Sequence, residues 1–400
     1  TQASDLTLSD TKLRLFKTKT FNSDTARYSL SDPIYVDPTT LDYSGDTKYY
    51  FQSESIYYNQ TNQKLATSSG SGDITIYQVT GATKTAGTTT WNSISYDSTT
   101  YKLSATTLTE TELETDKSDK GLYQGTDDYG TTYYYRGNVK NNNVYFAGYY
   151  WQIVRINGDG SIRLIYNGST KNATGVKQSI NNRTYQFNSK YNAPAYVGYM
   201  YGDPDADTFA EVHANTNDST IKATVDSWYK TNIVDKGYSQ YVSTAVGFCG
   251  DRTYSGTGIN MSEYSYFGAY NRYEKSTAQF TCPEPSRDLY TITGSDIGNK
   301  VLAYPVGLIT FDELVFAGMD NKHINKLSWA YSTHSYWTMS PSLFDVRGGH
   351  AGDWIEKDNG YLNSWDSVAR RFSTRPVINL KSNVKISGGI GTVNEPYVID

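Results

Sequence analysis

The sequence predicts a mainly β protein with α+β character, made of a β-sandwich-like module in residues 1–118 and an α+β domain in residues 119–400. Short runs of alternating apolar and polar residues dominate the first third of the chain. Longer apolar strands and two amphipathic helices follow from residue 121. A chain of 400 residues also exceeds what one hydrophobic core usually serves, which favours at least two domains.

The first module has the alternation that is typical of short strands with one polar face. Alternating runs cover residues 12–16, 74–79 and 101–106, and the run 49–58 alternates loosely. Stretches rich in Gly, Ser and Thr separate these runs, as expected for turns. Two packed sheets fit this pattern, and the acidic stretch 110–120 is the predicted linker to the second domain.

The second domain opens with a predicted hairpin. The bulky run 144–156 predicts a central strand, and the run 161–166 predicts its returning partner. Between them, Asn157-Gly158-Asp159-Gly160 has the residue types of a tight turn, because asparagine and glycine adopt positive φ angles at little cost.

Two helices are expected in the same domain. An apolar stripe at i, i+4 and i+7 predicts the first over residues 219–233, and Gly237 is expected to end it. The stripe consists of Ile221, Val225 and Trp228. Thr310 and Glu313 form a capping-box pattern that predicts the start of the second helix, which is expected to stop at Gly318.

Composition and charge exclude two classes of partner. The formal net charge is -5, charged residues make up 19%, and no lysine and arginine cluster matches a phosphate backbone, so we expect no nucleic acid partner. A membrane-spanning helix needs roughly 20 apolar residues. The longest apolar run, residues 301–316, is broken by Pro305 and Gly307, so no span is expected in this chain.

The composition also indicates a location. The chain starts at Thr1 without a methionine or an apolar leader, as a secreted protein does after losing its signal peptide. It has 38 tyrosines and only two cysteines in a background rich in Thr and Asn. These features favour an extracellular, cell-surface bacterial protein over an intracellular one.

Cys249 and Cys282 are the only cysteines, and the polar loop between them has little else to hold it. In an extracellular setting the two thiols are expected to form a disulfide, with two buried reduced cysteines as the alternative. A zinc site would need further Cys or His residues nearby, and the sequence has none there.

A run of carboxylates raises the question of a calcium site. Alternate spacing is typical of calcium ligands, but the run lacks the glycine at position six and the glutamate at position twelve of a helix-loop-helix site. A solvated acidic loop is the favoured interpretation, with calcium as the alternative and no other cofactor expected. The carboxylates belong to Asp203, Asp205, Asp207 and Glu211.

Several blocks of the second domain, in this order, resemble a large group of uncharacterised secreted proteins of gut Gram-positive bacteria. The resemblance covers roughly residues 121–400 and leaves out the N-terminal third. The blocks are His213-Ala214-Asn215-Thr216-Asn217, Asp226-Ser227-Trp228-Tyr229-Lys230, Phe248-Cys249-Gly250-Asp251-Arg252, Tyr304-Pro305-Val306-Gly307-Leu308-Ile309-Thr310, Tyr336-Trp337-Thr338-Met339-Ser340-Pro341-Ser342 and Arg375-Pro376-Val377-Ile378-Asn379-Leu380.

The tail of the domain is also similar to the C-type-lectin-like fold of formylglycine-generating enzymes and hypervariable ligand-binding proteins. This resemblance implies structural roles for the segment Arg347-Gly348-Gly349 and for Arg375. The enzymes of that group need cysteines near the end of the domain, and no cysteine follows Cys282 here. The four histidines lie in separate segments without a nucleophile motif, so we expect no enzymatic activity.

The segment between residues 339 and 372 is expected to present polar and aromatic side chains from loops on this rigid frame. Tryptophan and arginine suit ligand binding by stacking and forked hydrogen bonds, whereas inward-facing structural roles are the alternative for each single residue. We call these residues the display set. It comprises Asp345, Arg347, His350, Asp353, Trp354, Asn363, Trp365, Asp366, Arg370 and Arg371.

The sequence therefore leads to two functional hypotheses. The first is a non-enzymatic adhesin that recognises a glycan or a host or bacterial surface protein through the display set. The second is a structural subunit that polymerises into a pilus-like surface filament, since Tyr- and Thr-rich short strands provide edges for subunit contacts.

Overall fold

The computed structural model describes residues 12–22, 27–52, 57–58, 64–66, 76–91, 94–108 and 121–399. Two compact units divide the chain, Thr1–Asp116 and Lys117–Asp400. Strands account for 37% of the residues and helices for 17%, so the fold is mainly β, as the sequence predicts. The predicted domain boundary after residue 118 and the predicted linker 110–120 lie largely outside the described residues.

The described strands of the first unit form one antiparallel sheet in the order β5-β4-β1-β3-β6-β7, with β2 paired to β1. They are β1 (Lys12–Asn22), β2 (Arg27–Val36), β3 (Tyr49–Gln52), β4 (Tyr57–Tyr58), β5 (Lys64–Ala66), β6 (Ile76–Trp91) and β7 (Ile94–Leu108). Leu15 and Phe16 alternate along β1 into two separate apolar clusters, so this sheet buries residues on both faces. The two-sheet sandwich stays a prediction.

The strands of the second unit form two large sheets and two short ribbons. They are β8 (Gly121–Asp127), β9 (Gly130–Arg136), β10 (Asn143–Phe146), β11 (Tyr149–Ile156), β12 (Ile162–Tyr166), β13 (Thr184–Gln186), β14 (Met200–Tyr201), β15 (Asn217–Asp218), β16 (Phe248–Cys249), β17 (Tyr254–Ser255), β18 (Ser265–Phe267), β19 (Leu289–Tyr290), β20 (Tyr336–Asp345), β21 (His350–Glu356), β22 (Leu362–Ser367), β23 (Arg371–Ser373), β24 (Val377–Leu380), β25 (Ile386–Gly388) and β26 (Tyr397–Ile399).

Eight of these strands make one sheet and seven make the other. The first sheet has the order β24-β12-β11-β10-β26-β25, with β9 paired to β11 and β8 to β9. The second has the order β13-β23-β20-β18-β17, with β21 paired to β20 and β22 to β21. The ribbons are β14–β15 and β16–β19. One large apolar core lies within the unit and takes side chains from both sheets.

Helices are short and connect the strands. The α-helices are α1 (Phe209–Val212), α2 (Thr220–Tyr229), α3 (Gly268–Lys275), α4 (Pro285–Asp288) and α5 (Phe311–Phe316). One π-helical turn, Lys230–Val234, extends α2. The 3₁₀ turns are Pro38–Thr40, Gly175–Gln178, Ile180–Asn182, Pro194–Val197 and Tyr238–Tyr241.

Both predicted helices are confirmed. Ser219 caps α2 by accepting the backbone N–H of Lys222, and the predicted apolar stripe of α2 is buried. Helix α5 begins with the predicted capping box, in which the Thr310 hydroxyl accepts the N–H of Glu313 at 3.0 Å and the Glu313 carboxylate accepts the N–H of Thr310 at 3.0 Å. Gly318 follows with a φ of 93°, which ends the helix.

The predicted hairpin is confirmed, but the predicted single strand before it is wrong. Strands β11 and β12 pair across the turn that Gly160 closes with a φ of 85°. The run 144–156 divides into β10 and β11 because Ala147 and Gly148 both adopt positive φ angles, 55° and 82°. This turn lets β10 fold back against β11. The residues on both sides of the turn are apolar, so a prediction based on hydrophobicity alone does not detect it.

The predicted disulfide is confirmed. Cys249 and Cys282 are bonded with a Cα–Cα distance of 5.6 Å and a sequence separation of 33. Cys249 lies at the end of β16, and the backbone N–H of Cys282 donates to the Asp128 carboxylate beside the β8–β9 turn. The bond therefore ties the long segment between the cysteines to strands at the start of the unit.

Arg375 is fully buried between the two large sheets. Its Nε donates to the carbonyl of Tyr166 at 2.9 Å, and one Nη donates to Gln152 and Asn167 at 3.0 Å each. Its guanidinium lies 4.9 Å from the ring centre of Tyr336 in the other sheet. One side chain thus joins the end of β12, the middle of β11 and the start of β20.

Replacement of Arg375 by methionine is expected to lower the free energy of unfolding by about 3 kcal/mol or more, because Tyr166, Gln152 and Asn167 each lose a hydrogen bond from its buried guanidinium. Urea unfolding followed by tryptophan fluorescence measures the change. The exposed Arg347, replaced in the same way, serves as the control and is expected to change stability by about 0.5 kcal/mol or less. Equal losses in the two variants would contradict the anchoring role.

Candidate functional site

The display set lies mainly on strands, which corrects the expected loops. The region carries β20 to β23 in one sheet, and only short turns link them. The turn between β20 and β21 contains the segment Arg347-Gly348-Gly349, where Gly349 has a φ of 61°. The residues of the display set were not predicted to lie on strands because a strand that is covered on both faces does not alternate simply between polar and apolar residues.

Three members of the display set, Asp353, Trp354 and Asp366, are buried rather than displayed. Trp354 packs 4.2 Å from Phe311 and 5.4 Å from Tyr273, measured between ring centres, and has no exposed surface. The adjacent Asp353 is also fully buried, and neither carboxyl oxygen has a hydrogen-bond partner. Burial raises the pKa of Asp353 well above its ordinary value, so this group is held neutral in the interior. Neither Trp354 nor Asp353 reaches a surface ligand.

The structure also brings members together in pairs. The Asp366 carboxylate is buried and takes hydrogen bonds from Asn363 and Arg370. Asp345 lies opposite His350 where β20 meets β21. The carboxylate of Asp366 is therefore engaged within its own strand and the turn that follows.

Four members are exposed at the surface, and one of them is Arg370, whose side chain is 66% exposed although it donates to Asp366. The other three are Trp365, Arg347 and Arg371. Trp365 is 50% exposed. Arg347 is exposed, with its guanidinium 5.8 Å from the ring centre of Tyr264. Arg371 is exposed and donates to the backbone carbonyl of Thr184. They do not line a common cavity among those found in the described residues.

The carboxylates of the calcium candidate do not converge. Asp203 accepts the backbone N–H of Asp205 at 3.0 Å, within its own turn. Glu211 accepts the Thr208 hydroxyl at 2.6 Å, at the start of α1. Among the described residues, no group of three or more Asp, Glu, His or Cys side chains is placed to hold a metal ion.

A small buried cavity of about 20 Å³ lies beside the disulfide and has room for about one water molecule. Its walls carry a network of arginines and carboxylates. Glu313 pairs with Arg155 at 3.2 Å and with Arg163 at 2.5 Å. Although burial opposes ionisation, Arg163 and Arg155 hold the pKa of Glu313 below its ordinary value. The size and the paired charges indicate a structural role for this cavity.

An open groove beside α2 is a second candidate site. We call it the helix groove. Its volume is about 740 Å³, within the range of roughly 300 to 1,000 Å³ that is usual for ligand sites. Its lining consists of Asn181, Tyr185, Asn188, Ser189, Tyr201, Asp218, Ser219, Thr220, Ala223, Thr224, Ser227, Trp228, Thr231 and Asn232.

One wall is the polar face of α2. Small side chains recur at i, i+4 and i+7, on Thr220, Thr224 and Ser227, on the face of the helix that lies directly beside the buried stripe, about 100° around the axis. Small residues leave space above the backbone, so the helix presents a shallow floor of hydroxyl groups. Trp228 lies at the edge between the two faces and is 5% exposed.

The opposite wall is the segment around β13. Strand β13 pairs with β23, and Tyr185 lies opposite Phe372. The indole N–H of Trp337 donates to the carbonyl of Tyr185 at 2.8 Å, and Gln186 donates to the carbonyl of Ala369 at 2.7 Å. Strand β20, which carries Trp337, therefore supports this wall from the side away from the groove.

Asn188 lines the groove and is only 2% exposed. Its Oδ1 accepts the Thr220 hydroxyl at 3.4 Å, while no protein group accepts from its Nδ2. A buried amide without an acceptor costs stability, and a bound group that supplies the acceptor is one explanation for it. Asn188 thus places an unpaired amide donor just beneath the surface of the groove.

A charged cluster lies at one end of the groove. The ammonium of Lys222 is buried and lies 3.1 Å from Asp218 and 2.7 Å from Asp226. Burial raises the pKa of Asp226, and Lys222 opposes this shift. Asp218 is the charged member of the lining, and its side chain is 43% exposed.

Sequence analysis missed every residue of this groove as a binding residue. The helix was predicted and Trp228 was assigned to its apolar stripe, but segments 181–189, 200–201 and 217–232 meet only through the fold. One signal was present: the face of α2 beside the stripe carries small hydroxyl residues rather than the charged residues that are usual on a solvent-facing helix surface.

Replacement of Asn188 by leucine is expected to leave the free energy of unfolding unchanged or raise it by up to about 1 kcal/mol, because it removes an unpaired buried donor. Asn325 is the matched control, since its amide donates to Gly318 and accepts from Leu327 and Ser328. Asn325→Leu is expected to cost about 3 kcal/mol. A comparable loss of the free energy of unfolding in Asn188→Leu, measured by urea unfolding, would show that the amide of Asn188 already has its hydrogen-bond partners.

No helix in the described part of the chain is long and apolar enough to cross a membrane. No protein-family model, curated protein or solved structure matches this chain. Its function must therefore be argued from the chemistry of the helix groove and from the scaffold that holds it.

Proposed function

We propose that this chain is an extracellular, cell-surface-associated recognition protein that binds a glycan in the helix groove and catalyses no reaction. The observation that carries the proposal is the lining of the groove, where hydroxyl, amide and aromatic side chains predominate. Saccharides present both hydroxyl groups and apolar ring faces, so a site for them combines planar polar groups with aromatic rings.

The aromatic rings of the groove come from both walls. Tyr185 and Tyr201 are half-buried, which leaves part of each ring open to a ligand. The ring of Tyr201 is held edge-on against Tyr196 with 5.2 Å between centres, and the hydroxyl of Tyr185 accepts from Asn181 at 3.2 Å. Rings fixed in this way lose little conformational entropy when a ligand binds.

The proposal includes a C-type-lectin-like architecture for the second unit. Two observations support it. Tyr336, next to Trp337 in β20, pairs with Ser373 at the end of β23, two residues before Arg375, so β20 lies beside the segment that leads to Arg375. Arg375 is buried as a structural residue, in line with the role that the resemblance implies. A rigid frame of this kind suits recognition by surface side chains.

The test is a glycan array probed with the full chain and with three variants. Ala223→Trp places a large ring on the exposed groove face of α2 and is expected to weaken binding of the best glycan by about tenfold or more. Glu274→Trp, at an exposed position of α3, is the matched control and is expected to bind normally. Trp365→Ala tests the surface of the display set and is expected to change affinity by less than about threefold.

Two results would contradict the proposal. If no glycan binds, the protein is not a glycan receptor. If Trp365→Ala removes binding and Ala223→Trp does not, the ligand binds on the display set and the helix groove is not the site.

A structural subunit of a surface filament is the second proposal, and one feature favours it. Strand β25 is at the edge of the eight-stranded sheet, and all three of its residues are exposed. Ile386 and Ile390 expose 55% and 60% of their surfaces beside this edge. An exposed apolar edge strand can pair with a strand of another copy.

Filaments formed through this edge are expected to disappear in Ile386→Lys, because a charge on an edge strand blocks strand pairing. Negative-stain microscopy of purified protein at high concentration provides the measurement. Val393→Lys, at another exposed apolar position, is the control and is expected to assemble like the wild type. Unassembled wild-type protein under these conditions would contradict the filament proposal.

A further inference from the structure

We infer that the helix groove selects uncharged saccharides and rejects anionic ones, with Asn188 and Asp218 as the residues that determine this specificity. The inference rests on the proposed function and adds the substrate class. Three features of the groove carry it: the absence of a cation from its lining, the acidic group at the start of α2 and the unpaired amide at its floor.

Among the residues that the structure describes, no lysine, arginine or histidine lines the helix groove. Sites for sulfate, phosphate or carboxylate groups almost always supply such a cation or a free helix N-terminus. Two lysines contact lining residues from outside the lining: Lys222 is buried and paired with Asp218 and Asp226, and the exposed Lys236 donates to Asn232 at 3.2 Å. An anionic ligand would therefore lose its hydration without gaining a charged partner inside the groove.

The N-terminus of α2 opens onto the groove but is not available to an anion. The side chain of Ser219 already accepts the first-turn N–H of Lys222. Asp218 precedes this cap and places a carboxylate in the lining, where the helix dipole would otherwise attract a negative ligand. The buried charges beside Asp218 are the ammonium of Lys222 and the carboxylate of Asp226. With Asp218 itself the cluster has two carboxylates and one ammonium, so it is acidic as a whole.

The same two residues can hold a neutral sugar. A partly exposed carboxylate accepts hydrogen bonds from sugar hydroxyls, and Asp218 is the lining residue that provides one. Asn188 can donate a hydrogen bond where Asp218 accepts one, because its Nδ2 lacks an acceptor at the floor of the groove. A hydroxyl or acetamido oxygen that reaches this depth would satisfy that donor.

The experiment compares neutral oligosaccharides on an array with sulfated and sialylated forms of the same backbones. The wild type is expected to bind the neutral forms about tenfold more tightly or better. Asp218→Asn is expected to reduce this preference to about threefold or less by strengthening binding of the anionic forms. Asp235→Asn makes the same charge change in an exposed ion pair with Lys230 and is the matched control, expected to keep the preference.

The variant Asn188→Leu tests the role of the unpaired amide donor at the floor of the helix groove. It is expected to weaken binding of the neutral glycan by about tenfold, the effect of one lost hydrogen bond and an obstructed floor. The unfolding curve of the same variant separates this effect from loss of folded protein. Unchanged affinity in Asn188→Leu, or equal binding of neutral and anionic glycans by the wild type, would overturn the inference.

The outcomes separate the two proposals. If no array glycan binds, the proposed function fails. If glycans bind and Ala223→Trp blocks them, but charge makes no difference, the proposed function stands and the specificity is refuted.

Discussion

The guanidinium of Arg375 links the two large sheets of the second unit, and the position of the helix groove depends on that link. Its hydrogen bonds end on Tyr166 and Gln152 in one sheet, and its charge lies over the ring of Tyr336 in the other. The residue after Tyr336 is Trp337, whose indole holds the carbonyl of Tyr185 in the groove wall. A single buried cation is thus connected, through one strand, to the surface that we propose binds the ligand.

Several arginines and carboxylates lie in the interior of the second unit. Arg155, Arg163 and Arg252 are almost completely buried, and carboxylates such as Glu313 and Asp288 lie against them. Each pair has to regain the free energy lost when its members leave water, which requires close contact and additional hydrogen bonds. Such networks tolerate few alternative arrangements, so they hold the loops and short strands of a fold with little helix in fixed positions.

Local features of this fold could be predicted from sequence, and features made by distant segments could not. The hairpin turn at Gly160, the capping box of Thr310 and the stripe of α2 depend on residues a few positions apart. The disulfide followed from there being only two cysteines. The burial of Trp354 and Asp353 depends on cover over both faces of β21, which no pattern within the strand records. The groove joins three separate segments of ordinary polar residues, and the unpaired amide of Asn188 is visible only once its neighbours are known.

The parallel pairing of β10 with β26 has a consequence for how the second unit is made. Val144 lies beside Tyr397, so a strand near the beginning of the unit finds its neighbour only after almost the whole unit has been synthesised. Topologies dominated by such distant contacts fold slowly, because the entropy of closing long loops is lost before the contacts form. The nascent chain would expose the open edge of β10 for most of its synthesis, a stage at which chaperones can prevent mispairing.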